Sequence, residues 1–508
     1  MSVLRYFASN SVIRIATYLL GVCAAFVVTP HIVRSLGSSA YGVWALISSL
    51  AGYYSLLGWG QIPAVSKKVA EARATGNSPA IQEIYVASSI IGAVSFCLVL
   101  LTAFSISAVA SHLRPEAVEL PAMATSLLLF STSIAVQLLL RAAHGLLAGQ
   151  MRWTFIALVA MGRILVSSTA ALVFLSPHLP PSDNLIRMAI ITSVVTIAEP
   201  LLFTITAYRT LGVRLRLSCL RWQRVVELFT FGWAIVLGEL GTFLEKKSLI
   251  YIVAVFVGTA QVAIFSIANQ FMAYMTDLTA SAFGIMNPYF STLNAKNEHR
   301  ACQDSLLDTL FLSYAVSGLI GLALVFYGSL FTLRWLGSDF AAISSILVPM
   351  ALAAILSCGS SPANGFLQGL GQQRLSGRLG LAQGMTVALL CVPAVFLFGM
   401  AGAGWVVFLV ACVFHLGIGP HYVSMVAGIA KSRYYTNLLL MLLPQLLVQG
   451  LYYWAIQSLL LPEYGVLFLA GCGQGLLALG TLLASLHGSR KLGFSRSNTG
   501  NQQGDRDG

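Results

Sequence analysis

Runs of about twenty mainly apolar residues alternate along this chain with short polar gaps. An α-helix needs about 20 apolar residues to cross about 30 Å of hydrocarbon. Reading for such runs gives about fourteen, the first from Ser11 to Val33 and the last from Tyr464 to Leu486. The pattern predicts an all-α integral membrane protein. The first run exceeds the roughly 7 to 15 apolar residues of a signal peptide, and another full span begins at about Ala40, so it is expected to stay attached.

Cations fall almost entirely in alternate gaps. Lys67, Lys68 and Arg73 follow span two, Arg152 follows span four, and Arg209, Arg214, Arg216, Arg221 and Arg224 follow span six. Lys296 and Arg300, Arg374 and Arg378, Lys431 and Arg433, and Arg490, Lys491 and Arg496 continue the series after spans eight, ten, twelve and fourteen. The opposite gaps hold little beyond Arg34, Arg114 and Arg334. Cytoplasmic loops retain Lys and Arg, so both termini are expected in the cytoplasm.

Composition narrows the function. The chain has 508 residues, 57% hydrophobic and 9% charged, and its net charge of +12 is mostly this topology signal. No basic soluble domain exists to bind nucleic acid. The eight cysteines are scattered without C-x-x-C or His/Cys spacing, so neither disulfides nor a metal are indicated, and no cofactor motif is present. The gaps are too short for a soluble catalytic domain. There is no G-x-x-x-x-G-K-[ST], H-E-x-x-H or G-x-S-x-G. From about Gly488 the tail is polar and expected to be disordered.

Two stretches repeat at an offset of about 220 residues. Leu36 to Ala45 resembles Val257 to Ser266, and Gly145-Leu146-Leu147-Ala148-Gly149 matches Gly365-Phe366-Leu367-Gln368-Gly369. Six spans per repeat is even, so both halves enter from the same side, as in parallel-repeat transporters. The expected organisation is a six-helix lobe over 1–220, a second over 221–430, a helical hairpin over 431–487 and the tail over 488–508.

The opening Thr29 to Gly42, then Gly58-Trp59-Gly60 and Val69-Ala70-Glu71-Ala72-Arg73, resembles the start of Wzx-type polysaccharide flippases. These belong to the multidrug/oligosaccharidyl-lipid/polysaccharide exporter superfamily. The resemblance covers nearly the whole chain in span count and spacing. It implies a flippase for a polyprenyl-pyrophosphate-linked oligosaccharide in a bacterial inner membrane. Membrane lipids, a polysaccharide polymerase and glycosyltransferases would be its partners, and H+ or Na+ its coupling ion.

Ionisable residues inside spans are costly and need a partner or a task. Arg14, Arg141, Arg163, Lys246 and Lys247 are the candidate ligands of a pyrophosphate; Glu199, Glu239 and Asp277 are candidates for ion coupling or charge balance. Arg14 lies close enough to its span end to snorkel to the headgroups. Arg141, Arg163 and Glu199 share a similar depth, so an Arg163–Glu199 pair is as good a reading as a substrate site. From Val225 to Gly258 the chain is almost continuously apolar, and Glu239 and Glu245-Lys246-Lys247 stand out within it. A straight helix of that length would be about 50 Å long, so span seven must bend, tilt strongly or break, and a break would mark a binding site. Gln270, Tyr274, Asp277 and Ser281 form a polar stripe on one helical face. His31, His144, His415 and His421 read as hydrogen-bonded packing residues rather than proton relays. Gly359-Ser360-Ser361-Pro362 is expected to kink span ten, with Gly359 and Pro362 as a hinge.

Two other functions compete. A cationic-drug exporter would need an acidic pocket, whereas the five intramembrane cations above face Glu199, Glu239, Glu245 and Asp277. A polymerase or ligase would need a sizeable external loop, and Ser111 to Leu120 and Pro177 to Asn184 are ordinary connectors.

Overall fold

The computed structural model describes residues 3–110, 120–283 and 286–456, with the isolated positions 473 and 480. At some helical positions, Arg14 and Glu239 among them, only the backbone is described. Span fourteen, apart from those two positions, the tail and Arg114 lie outside the described residues.

The described residues are helical throughout their spans. Helix α1 (Val3–Leu56) carries spans one and two, parted by a kink at Gly37. A short helix α2 (Gln61–Ala74) precedes span three, α3 (Ser78–Ala110). Span four is divided into α4 (Leu120–Leu139) and α5 (Arg141–Gly149). Then come α6 (Trp153–Phe174), α7 (Pro181–Leu211) and α8 (Trp222–Phe256). Span eight is α9 (Thr259–Phe283) followed by α10 (Met286–Ala295), and span nine is α11 (His299–Leu336). Span ten is divided into α12 (Ser344–Gly359) and α13 (Ser361–Gly369). Helix α14 (Gln373–Ala411), kinked at Gly399, runs through a π-helical segment, Cys412–Ile418, into α15 (Gly419–Ala427). Span thirteen is α16 (Lys431–Ile456).

Large apolar side chains face outward along these helices: Val166 is 58% exposed, Val173 67% and Leu397 67%. Such surfaces suit hydrocarbon, because lipid tails replace the water that would otherwise penalise them. The helix lengths, the apolar exteriors and the absence of strands among the described residues establish an all-α membrane fold.

The chain forms two compact units, Met1–Ser266 and Ile267–Gly508. In the first, Leu36, Trp44 and Ile47 of α1 pack with Leu127 and Phe130 of α4 and Leu185 of α7. A second cluster joins Val65 of α2, Ile84 of α3, Leu146 of α5, Phe203 of α7 and Leu228 of α8. In the second unit, Phe290, Leu306, Tyr314, Phe366 and Met441 form a core from α10, α11, α13 and α16. Helix α8 packs on α1, α2 and α3, so the boundary between packed units falls later than the boundary between matching texts near residue 220.

Of the bend, strong tilt or break expected of span seven, the break is not what the structure shows: α8 is a single helix of 35 residues. Its first turns carry charge. Arg221 binds Glu83 at 2.8 Å, Arg224 binds Glu227 at 2.8 Å, and Lys68 pairs with Glu227 and with Glu71. Part of the excess length therefore lies among charged side chains at the cation-rich end rather than in hydrocarbon, and no break is needed.

The repeat is visible in local geometry. Helices α5 and α13 are each 9 residues long and begin after a single turn residue, Leu140 (φ −90°, ψ 2°) and Ser360 (φ −85°, ψ −3°). A methyl group at Gly149 would meet the backbone of Ser66 and the side chain of Val69 in α2; one at Gly369 would meet Phe290 and the backbone of Asn287 in α10. Each half-helix is thus seated on a short helix by a glycine at the matching position.

Candidate functional site

In the first unit the break at Leu140 sets Arg141 as the first residue of α5, with His144 one turn later. Both line a cavity of about 330 Å³ with Ile62, Gln137, Arg163, Thr196, Glu199, Pro200 and Phe203. Three residues singled out by depth in the sequence, Arg141, Arg163 and Glu199, therefore meet in one place. Arg163 Nε lies 3.3 Å from Glu199 Oε2, with the arginine 48% exposed and the glutamate 17%.

Local sequence explains the shape. Pro200, inside α7, has no N–H to offer the carbonyl of Thr196 one turn back, and Thr196, Glu199 and Pro200 all line the cavity. The α1–α2 turn, Gly58-Trp59-Gly60, lies against Arg141. A Cβ at Gly58 would fall on the Arg141 guanidinium, so any larger residue there requires the arginine to move from its present position. Trp59 (φ 47°) and Gly60 (φ 57°) are both left-handed, and Trp59 packs on Phe229 and Trp233 of α8.

A guanidinium pair facing one carboxylate in a polar recess offers parallel N–H donors to a multivalent oxyanion, the geometry in which arginine binds phosphate.

The chain belongs to the polysaccharide biosynthesis protein family. That family's model matches residues 4–294, more than half of the chain, and the matched region includes the whole of this cavity. Solved structures share the fold. "Lipid II flippase MurJ, inward closed conformation" superposes with a TM-score of 0.71 at 14% identity, covering 96% of this chain and 99% of its own. An inward-facing multidrug resistance MATE family transporter of the MOP superfamily gives 0.67 at 13% identity, over 83% and 99%. Its outward-facing counterpart gives 0.59 at 12% identity, over 82% and 95%. No curated protein matches the sequence. This member of the polysaccharide biosynthesis family therefore has the transporter fold that the MATE and MurJ structures share.

Of the other expected site residues, those whose side chains are described do not line the cavity. Lys247 of α8 lies against Gly52 of α1 and near Phe243. The neighbouring Tyr53 stacks edge-on against Phe243 and Tyr251. Tyr53 and Tyr251, with Leu50, Tyr54, Leu57, Thr102 and Ile106, line a separate apolar cavity of about 410 Å³. Lys246 is partly buried on the same helix. The side chains of Arg14 and Glu239 are not described. In the second unit Asp277, Gln270 and Ser281 are exposed while Phe271, Met275 and Thr279 are buried, so the polar stripe faces away from that unit's core. Span ten is interrupted between Gly359 and Ser361, with Pro362 in the first turn of α13, where the sequence placed the kink.

The family member's histidines divide. His31 hydrogen-bonds the Leu175 carbonyl at 3.1 Å, and His415 is held by Ser360 at 2.7 Å, Ser357 at 3.1 Å and Gln383 at 3.2 Å. His144 instead lines the arginine cavity, as do Gln137 and Thr196, which sequence reasoning passed over. The signal was there: His144 is three residues after Arg141, on the same helical face.

Proposed function

We propose that this protein moves a polyprenyl-pyrophosphate-linked oligosaccharide across a bacterial inner membrane by alternating access, for surface polysaccharide synthesis, with both termini in the cytoplasm and no covalent chemistry of its own. The observation that carries the reading is the cavity in which Arg141, Arg163 and His144 face Glu199. Moving a pyrophosphate through hydrocarbon costs far more than thermal energy unless fixed donors replace its water. Arg141 supplies a guanidinium that lies beside the Gly58 turn, Arg163 a second, and Gln137 and Thr196 neutral polar groups. A cavity of about 330 Å³ holds roughly eleven waters' volume, at about 30 Å³ each, enough for a diphosphate but not for the glycan, which must extend beyond it. An excess of positive charge repels cationic drugs, which sets this reading above drug export. Family membership in polysaccharide biosynthesis supports it, and so does a fold shared with a structure named as a lipid II flippase. In this reading the pyrophosphate sits at the arginines and not at Lys246 and Lys247, which do not line their cavity, and the break between Gly359 and Pro362 serves as a hinge.

The test is complementation of a deletion strain of the source organism, with protein levels matched. Arg141→Gln and Arg163→Gln should each lower surface glycan at least tenfold and leave lipid-linked oligosaccharide on the cytoplasmic leaflet, since hydrogen bonds to charged groups contribute about 1.5–3 kcal/mol each. The Lys246→Gln/Lys247→Gln double variant should lose less. Full surface glycan from both arginine variants would sink the proposal.

A further inference from the structure

Among the described residues Glu199 is the one carboxylate lining the cavity, and it stands where an incoming anion must go. Glu199 Oε2 approaches Arg163 Nε at 3.3 Å, so it occupies one edge of the donor fork that a phosphate would use. Among the described residues the cavity's charged and titratable groups are Arg141 and His144 from α5, Arg163 from α6 and Glu199 from α7, while α2 and α4 contribute Ile62 and Gln137 and α1, which also packs on α6 and α7, contributes none. With Glu199 ionised, the guanidinium already has a counter-ion. An oxyanion bound to the same guanidinium lies a few ångströms from that carboxylate, and like charges so close favour protonation of one of them. Glu199 is the less exposed partner of its ion pair, at 17%, so water screens this repulsion poorly.

We propose that Glu199 takes up one proton as an anion binds at the Arg141–Arg163 pair and releases it as the anion leaves. The cavity thus exchanges an internal counter-ion for a phosphate group plus a proton. The proton comes from water on the side to which the cavity is open, and only the carboxyl O–H bond forms or breaks. The inference rests on the anionic-substrate reading above and adds the residue through which proton and substrate are linked. Linkage is reciprocal: the proton and the anion tighten each other's binding by the same factor. The sign follows. Anion binding strengthens as pH falls, and a proton gradient is thereby tied to occupancy of the site. Protonation of His144 would act with the same sign, so the experiment must separate the two residues.

The probe is inorganic pyrophosphate, titrated calorimetrically into the full-length protein in lipid nanodiscs, in two buffers of different ionisation enthalpy. Wild type should take up about one proton more than Glu199→Gln at the same pH, a difference that removes the titration of pyrophosphate itself. Its affinity should gain up to about tenfold per pH unit lowered, the limit for one linked proton. Glu199→Gln should lose the extra uptake, show the flatter pH profile, and bind at least as tightly as wild type at neutral pH. His144→Gln should keep the uptake. Uptake that persists in Glu199→Gln, or that disappears in His144→Gln, overturns the assignment. Weaker binding by a Glu199→Gln variant with an unchanged unfolding midpoint also overturns it, because the glutamate would then merely support Arg163. If Glu199→Gln does not fold, the wild-type experiment decides alone: no uptake beyond that of pyrophosphate in solution refutes the proposal. Wild type that binds pyrophosphate without proton uptake leaves the anion site standing and removes only the coupling. Wild type that does not bind it at all removes both.

Discussion

At the scale of single residues, the site depends on a glycine as much as on its charges. A Cβ on Gly58 would occupy the space of the Arg141 guanidinium, and the neighbouring left-handed Trp59 and Gly60 leave the turn little freedom to retreat. Gly58→Ala should therefore displace Arg141 while keeping its charge, and lower surface glycan about as far as Arg141→Gln in the complementation assay at equal protein level. Wild-type glycan from Gly58→Ala would show that the position of Arg141 does not matter. In the sequence, depth within a span was enough to group Arg141, Arg163 and Glu199, because each pitch of helix converts residue count into height. Height alone does not give azimuth. That is why Lys246 and Lys247 could be placed by sequence on the right helix and still not in the arginine cavity, and why Gly58, a loop residue with no charge, gave no signal of its own contact.

At the scale of elements, the charged cluster at the start of α8 replaces the break expected there. Lys68 reaches both Glu227 and Glu71 from α2, and these hydrogen bonds, first that to Glu227, hold its ammonium above the usual lysine range. A raised lysine contributes its full stabilisation below the ordinary lysine range and loses it only as pH climbs through the raised value. Mild changes around neutrality therefore leave the link intact, and substitution is the better probe. Lys68→Met should cost on the order of 1 kcal/mol, seen as a lower unfolding midpoint in detergent. Glu71→Gln, whose carboxylate is half exposed, should cost less. Equal midpoints for Lys68→Met and wild type would mean that apolar contacts alone fix α8 on α2. Helix breaks were legible where Pro and Gly announce them, as at Gly359 to Pro362. The matching break at Leu140 has neither, but the span-ten break shifted back by the 220-residue offset falls on it, so the repeat held information that local composition did not.

At the scale of the molecule, the alternation of apolar runs and cation-bearing gaps was sufficient to give the class and, through the described residues, the succession of spans. Hydrophobic length is a strong constraint in a bilayer because no backbone group can go unsatisfied there. The relation of text repeat to packing was not legible: α8 matches the second half in sequence order yet buries its contacts against α1, α2 and α3. The same cations predict the orientation. A reporter fused after Arg221 should read cytoplasmic and one after Pro180 external, by paired phosphatase and fluorescent fusions in intact cells. The same side for both would mean that α7 does not cross the membrane.

The glycine seats beneath α5 and α13 limit how a protein of this build can acquire a new cargo. With Gly149 pressed on α2 and Gly369 on α10, neither half-helix can slide, and inserting or deleting one residue upstream of its seat would turn the side chain at its start through about 100°. Diversification by indels is therefore closed off at this point, and variation must come from exchanging side chains on a fixed frame. The two frames already differ in that way, since one half-helix starts with Arg141 and the other with Ser361 followed by Pro362.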